Sequence, residues 1–593
     1  MTQPKSFELG LVMAGAISAG AYTAGVVDFL LQALEEWEKE KENQRTAHGE
    51  NYQNWSIPPH NALISVLSSA SAGGIVAAIL ATALRAPLAP VETPQDGDTG
   101  NILYNSWVEK IDIRHLLKTH DLNGPDKEDD IFSDLDEFAD ETEETTDKPL
   151  APVVSVLDST ILEVIRDKAI NIPASAPPRP YLNDPIQLFL TVSNLRGIPY
   201  RIDLRGANPG AGHDMWLHGD HVHFYLGSYN KILSDQGALH LDPAQSGAVG
   251  DWNILGKTTL ATAAFPVGLA PRHLTRNTKH FNNRQWAVPL DTSQQPAGQC
   301  ACWEYRSVKT LLGENTDFEF LNVDGGAANN EPLELARKAF KGHSKRNPRG
   351  DDEATRAVLM IDPFPDVADM ETYEPVQNDL ISTLKALIGT LKNQSRFKED
   401  ELLLALDETV FSRFVLVPLR YDTAGQPQKF AIASGSLGGF GGFGGFLSRA
   451  FREHDFFLGR RNCQRFLERY FALSPDNPLF ADWSNALKSE YAISSNHNRL
   501  PIIPLLGRTK NPVPVLPWPG YTQKMLALLR NDTEIRLDAV VDRLIKTTIK
   551  SGIGRFMLKT VWWAKSGEMI NGLMNIIKKE LTKRGNMKPG NGY

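Results

Sequence analysis

The sequence predicts an α/β fold built on a mostly parallel central sheet and continued by a mainly helical C-terminal region. Three observations predict it. Phe7–Met13 (FELGLVM) reads as an apolar strand, followed by a small-residue turn and a helical pattern from Ala21 to Lys41. Ala62–Leu67 (ALISVL) repeats the scheme, with a turn at Ser68–Gly74 and an Ala-rich helix over Ile75–Leu84. Further apolar runs of strand length follow at wide spacing. Strands alternating with helices require crossover connections, and these favour parallel pairing.

Taken in order, the later strand candidates are Gln187–Val192, Val222–Leu226, Phe318–Val323, Ala357–Ile361 and Phe414–Leu419, with Pro363 and Pro365 closing the fourth. Helical patterns dominate beyond Leu380, at Ile381–Leu391 and Arg460–Phe471. The expected organisation is a catalytic-type domain over 1–380, with surface insertions near 86–150 and 197–255, and a C-terminal region over 381–593. No repeat of 20–50 residues is present. Gly438–Phe446 is a short GGFGGFGGF tract.

The 593 residues carry 62 Lys+Arg against 71 Asp+Glu, with 41% hydrophobic and 22% charged residues. These values exclude a fibrous repeat, a fully disordered chain and a disulfide miniprotein. Asp126–Asp147 holds twelve acidic residues and one basic, a net of −11, and reads as a surface insertion. Arg543–Lys588 holds eleven basic residues and two glutamates, a net of +9. Three cysteines, Cys300, Cys302 and Cys463, give no disulfide framework and point to a reducing compartment. Leu9–Val27 is nineteen residues without a charge. Its Gly, Ala, Ser and Thr content and the helix continuing it favour a buried segment over a signal peptide or a membrane span.

Three turns carry chemistry. Ser71 in Ser69-Ala70-Ser71-Ala72-Gly73 sits between a strand and a helix, where a serine is held on a sharp turn with its hydroxyl free at the C-terminal edge of the sheet. The helix N-terminus behind it supplies N–H groups and positive dipole to developing negative charge. Asp324 ends an apolar strand and is followed by Gly325 and Gly326, which let the backbone turn away. Gly15–Gly20 (GAISAG) ends the first strand and opens the first long helix, where backbone N–H groups can cradle an oxyanion. Each has a bland alternative: a serine-rich connection, an Asp-Gly cap and small-residue packing.

Together and in this order, the three turns resemble the patatin-like phospholipases, a family of lipid acyl hydrolases. Leu260–Pro271 (LATAAFPVGLAP) is similar to the family's AFP segment, and Asp324–Ala336 (DGGAANNEPLELA) to its DGG…NNP stretch. The resemblance covers roughly residues 7–365. It implies a patatin-like three-layer fold and a Ser–Asp dyad without histidine. Ser71 is then the nucleophile and Asp324 its base. The oxyanion hole falls at Gly15, Ala16, Ile17 and Ala72, and the chemistry needs no cofactor and no metal. Three positions depart from the family pattern: Ala19 replaces a loop Arg or Lys, Ile17 a loop Gly, and Ser69 the first elbow Gly. Backbone donors survive side-chain replacement, but the missing cation leaves open a catalytically impaired lipid-binding or signalling module. A general carboxylesterase is the other alternative.

Other features carry blander readings. His213, His218, Asp220, His221 and His223 suggest a metal, yet the intervening Trp216 and Leu217 and the strand period make a polar hairpin the preferred reading. Gly439–Gly444 matches GxGxxG but reads as an apolar loop packed on the core, or as a lid or acyl-pocket wall. In the basic tail, Ile553, Phe556, Met557 and Val561 recur at helical spacing beside Arg555, Lys559 and Lys565. That pattern suits docking on an anionic phospholipid membrane surface, or a helix packed on the domain with its lysine face solvated. Nucleic acid is not expected, since the rest of the chain is near neutral or acidic. The expected location is cytoplasmic and peripheral at the membrane.

Overall fold

The computed structural model describes residues 5–86, 88–122, 150–171, 179–203, 212–245, 249–282, 284–289, 303–307, 310–341, 348–364, 383, 410–422, 424–435 and 442–588. The acidic run, Cys300, Cys302, the expected Ile381–Leu391 helix (apart from residue 383) and the boundary at 380 lie outside them.

In chain order, the elements that position the site are β1 (Ser6–Met13), α1 (Gly20–His48), β2 (Asn61–Ser69), α2 (Ser71–Ala83) and α3 (Thr160–Ile170). Then come β3 (Leu182–Asp203), β4 (Gly212–Leu226), β5 (Leu239–Leu241), α4 (Gly250–Thr262) and β6 (Arg272–Asn277). A separate hairpin, β7 (Gln285–Pro289) and β8 (Trp303–Ser307), precedes β9 (Asp317–Asp324) and α5 (Leu333–Lys341). β10 (Arg356–Ile361), β11 (Arg413–Leu416), α6 (Arg449–Arg469), α7 (Gln523–Thr548) and α8 (Gly552–Lys583) complete the set. The fold is α/β, with a nine-stranded, mostly parallel sheet and a helical C-terminal region. Its strand order is β11-β10-β1-β2-β3-β4-β5, with β9 joined to β3 and β6 to β9. The pairs from β11 through β3 are parallel, whereas β4 and β9 run antiparallel to β3.

The central strands are apolar throughout because both faces are covered. In β1, Leu9, Leu11 and Met13 turn to the core shared with α1, α2, α4 and α6. Val12 turns to the other face, where Val66, Phe189, Val358 and Met360 meet Leu333, Ala336 and Phe340 of α5. The N-terminal apolar run belongs to this core. Ile17–His48 is long and apolar enough to cross a membrane, but 94% of its apolar window is buried inside the fold.

Within the stretch near 197–255 the chain completes β3, whose register with β4 runs from Ile186–Leu226 to Asp203–Gly212, and supplies β5. From the C-terminal region, β11 extends the sheet, and one core spans Phe7 to Val513. Helices α1 and α6 meet at glycines. A Cβ on Gly25 would fall 1.9 Å from the Phe456 carbonyl oxygen, and one on Gly459 2.2 Å from that of Tyr22. Beside this crossing, buried Arg460 pairs with Asp28 and donates to Gln32 Oε1 at 2.5 Å. Burial pulls the Arg460 guanidinium down to about 9. Removing either partner of such a pair costs about 3–5 kcal/mol, since it strands the other charge.

Candidate active site

β2 ends at Ser69 and α2 begins at Ser71, so the chain reverses within two residues. Ser71 takes φ 51, a left-handed conformation rare for a residue with a Cβ. The turn is pinned on both sides. The Ser71 N–H donates to Thr262 Oγ1 at 2.9 Å, and the Ala70 N–H to the Met13 carbonyl at 3.2 Å. Gly73 is obligatory, since a Cβ there would lie 2.2 Å from the Met13 oxygen. Ser69 needs no left-handed backbone, and its Oγ donates to the Phe189 carbonyl at 3.2 Å. The missing first elbow glycine therefore costs this turn nothing.

Asp324 reaches the same edge from β9, opposite Val192 of β3. Ser71 Oγ donates to Asp324 Oδ2 at 2.6 Å, a short bond of the charge-assisted kind. Asp324 Oδ1 accepts the Gly326 N–H at 2.7 Å. The Asp324 N–H donates to the Ala264 carbonyl at 2.9 Å, and its own carbonyl accepts Ser193 Oγ at 2.8 Å. Ser71 is 5% exposed and Asp324 4%. Gly325 sits against the Thr191 carbonyl, where a Cβ would come within 2.2 Å.

The Gly15–Ala19 loop closes the site. The N–H groups of Ala16, Ile17 and Ala72 donate to no acceptor among the described residues. The Gly15 N–H is occupied: it donates to the Asn330 carbonyl at 3.1 Å, and Asn330 Nδ2 returns a bond to the Gly15 carbonyl at 3.2 Å. Gly15 lets the loop approach closely, since a Cβ there would fall 2.3 Å from Asn330 Oδ1 and 2.9 Å from Ser71 Cβ. Ile17, where the family pattern places glycine, adopts φ 47. Ser18 holds it there: its N–H donates to the Gly442 carbonyl at 3.0 Å, its Oγ bonds the same carbonyl, and the Gly445 N–H donates to that Oγ at 2.8 Å. The described end of the Gly/Phe tract thus packs on the loop, with Phe443 edge-on to Phe265 at 5.5 Å. Ala19 is fully buried.

Sequence reasoning missed Thr262, Asn330 and Ser18. All three lie inside the segments Gly15–Gly20, Leu260–Pro271 and Asp324–Ala336, but nothing local marks their hydroxyl or amide as a clamp. The histidine-rich segment lies along β4. Asp220 there bonds Arg276 at 2.8 Å and Arg284. His223 stacks on Phe189 at 4.1 Å, and burial pulls its imidazole down to about 3. Among the described residues, no three His, Cys, Asp or Glu side chains group as a metal site. Cys463 is a free buried thiol whose pKa burial raises.

The fold and site define an α/β protein with a hydrogen-bonded Ser–Asp pair at the C-terminal edge of a mostly parallel sheet, beside unoccupied backbone donors. No family model matches the chain. The uncharacterized protein y4iI of Sinorhizobium fredii is 33% identical over 613 residues, covering 98% of this chain and 82% of that protein. The chain belongs to the family of that protein.

Proposed function

We propose that this protein is a patatin-like lipid acyl hydrolase that cleaves fatty-acyl esters of glycerophospholipids at a membrane surface. The 2.6 Å bond from Ser71 Oγ to Asp324 Oδ2 carries the reading, because a hydroxyl needs an adjacent base to attack at neutral pH. Ser71 Oγ attacks the ester carbonyl carbon while its proton passes to Asp324 Oδ2. The N–H groups of Ala16, Ile17 and Ala72 receive the oxyanion. The tetrahedral intermediate collapses to an acyl-serine, and the lysolipid alcohol leaves with the proton from Asp324. Water, deprotonated by Asp324, then releases the fatty acid and restores Ser71. Losing one oxyanion donor costs about 3–4 kcal/mol in such sites.

The surroundings favour an apolar acyl group. Ile17, Phe265, Phe443 and Phe446 line the loop side. A small apolar crevice beside α2 is lined by Ile75, Ile79, Ile111, Leu162, Ile165 and Leu260. Ile75 lies one turn beyond Ser71. The test is incubation of wild type and Ser71→Ala with mixed phospholipid vesicles, with mass spectrometry of free fatty acid and lysolipid. Release by wild type alone supports the reading. Hydrolysis of short soluble esters without chain-length preference makes the protein a general carboxylesterase. Hydrolysis by neither protein, with no covalent labelling by a fluorophosphonate, makes it a non-catalytic module.

A further inference from the structure

Helices α7 and α8 form a hairpin whose base belongs to the body and whose tip does not. At the base, Leu526, Leu529, Ile570 and Met574 share a small core with Leu447 and Phe451. Arg536, fully buried, ties α7 to the carbonyls of Val156 and Lys118 and to Asp121. Toward the tip, one side of α8 turns to α7, where Trp562 Nε1 donates to Asp538 Oδ1 at 2.7 Å and Lys559 pairs with Asp542. The opposite side has no partner among the described residues. Ile553, Phe556, Met557 and Val561 fall on one stripe of that helix, and Trp563 flanks it beside Phe556. Ile553 is 75% exposed, Phe556 74% and Trp563 85%. At 1.5 Å per residue, Ile553 stands about 25 Å along the helix from Ile570, the first base residue of α8.

Charge selects the occupant. Residues 538–568 carry six basic side chains against Asp538, Asp542 and Glu568, a net of +3; Lys546 and Lys559 pair with Asp542 and Lys565 with Glu568, while Arg543, Lys550 and Arg555 pair with no carboxylate among the described residues. A second copy of this chain would bring the same cations to the same face and be repelled. A nucleic acid would leave the apolar stripe unpaired. An anionic bilayer satisfies both parts, because aliphatic and aromatic side chains enter the acyl boundary while flanking cations meet headgroup phosphates. We infer that the apolar stripe at the α7–α8 tip is the surface by which this protein docks on an anionic phospholipid bilayer.

The inference rests on the lipid-hydrolase reading for its purpose and on the hairpin for its geometry. The hairpin is also wired to the site. Val156, bonded by Arg536, donates its N–H to the Val267 carbonyl at 2.9 Å, three residues past the Ala264 carbonyl that holds the Asp324 N–H.

The test uses the full chain with vesicles of phosphatidylcholine alone or with about one-third phosphatidylserine, comparing wild type with Phe556→Glu/Trp563→Glu and with Lys550→Glu/Lys565→Glu. Wild type is expected to sediment with the anionic vesicles, and each variant to bind at least about tenfold more weakly, since each buried large apolar side chain or surface cation contributes on the order of a factor of five or more. The charge variant also loses the salt dependence. Circular dichroism and cleavage of a butyrate ester read fold and site separately. Vesicle binding without any ester cleavage supports the docking surface and defeats the hydrolase reading. Ester cleavage with equal vesicle binding by all three proteins overturns the docking surface. So does a wild-type dimer that the stripe variant converts to monomer, or a preference for duplex DNA over anionic vesicles.

Discussion

Replacing Asp324 by Asn tests the dyad with almost no change in shape. The two carboxylate oxygens have different duties: Oδ2 accepts the Ser71 hydroxyl at 2.6 Å and Oδ1 accepts the Gly326 N–H at 2.7 Å. An amide satisfies only one of them. With its oxygen toward Gly326, its Nδ2 faces Ser71 Oγ, which then accepts instead of donating. The flipped amide sets two donors against each other and strands a buried N–H, at about 1–3 kcal/mol. The first orientation therefore prevails about tenfold or more. In it Ser71 has no proton acceptor. General-base catalysis contributes about 10²–10⁴-fold, so kcat/KM on a short-chain ester should fall by that factor, or about 3–5.5 kcal/mol. Thermal unfolding should stay at or above that of wild type, because a buried charge has been removed and one of its bonds kept. Fluorophosphonate labelling of Ser71 should slow in parallel. If Asp324→Asn retains activity within threefold while Ser71→Ala is inert, the base is another group and the dyad is wrong.

Thr262→Val should cost about 1–3 kcal/mol of stability in denaturant unfolding, since it orphans the buried Ser71 N–H. It should also lower kcat, and Thr262→Ser should restore both. A valine variant as stable and active as wild type would remove Thr262 as the clamp on the nucleophile turn. Stability should also fall with acid between about pH 6.5 and 4. Burial pulls His60, His223 and His280 to about 3, against an unfolded value near 6.5. Below 6.5 the unfolded chain therefore binds protons that the folded chain refuses. Each such histidine adds about 1.4 kcal/mol per pH unit to the slope. His223→Phe, which keeps the stack on Phe189, should reduce the slope by that amount in urea midpoints measured from pH 6 to 4. An unchanged slope would place the acid sensitivity elsewhere.

Local pattern made the two strand–turn–helix units legible, because apolar strands bounded by small residues are short-range signals. Ser71 and Asp324 were legible for the same reason, and the structure brings them together across 253 residues. What escaped were bonds whose partners share no neighbourhood in sequence. Thr262 reaches back 191 residues to Ser71 and Asn330 315 residues to Gly15. The extension of β3 past Val192 escaped because its polar Ser193-Asn194 and Gly197-Ile198-Pro199 break the apolar run, although Ile198 and Tyr200 are fully buried. The unity of the C-terminal region with the sheet escaped because it depends on α6 packing on α1. No window of sequence contains both Arg460 and Asp28.

Three residues with a Cβ, Ile17, Ser71 and Val267, adopt φ 47, 51 and 68 in the segments that border the dyad. Such conformations cost about 1–3 kcal/mol each and persist only where neighbours over-determine them. For Ile17 the neighbours come from the far end of the chain: Ser18 is fastened through its N–H and hydroxyl to Gly442 and Gly445. The C-terminal region therefore fixes the Gly15–Ala19 loop as well as covering it. A direct consequence concerns Ser18→Ala. It orphans the buried Gly445 N–H, at about 1–3 kcal/mol, and leaves the loop tied to Gly442 by the residue-18 N–H alone, so Ile17 is held less firmly in its left-handed conformation and its N–H direction loosens. The Ser71–Asp324 bond is untouched. Oxyanion support should weaken while nucleophile activation persists, so kcat should drop about 10²-fold with little change in KM or in the pH profile of Ser71 labelling. A Ser18→Ala enzyme with wild-type kcat would mean that the loop holds Ile17 by itself, and that the Gly/Phe tract is only its cover.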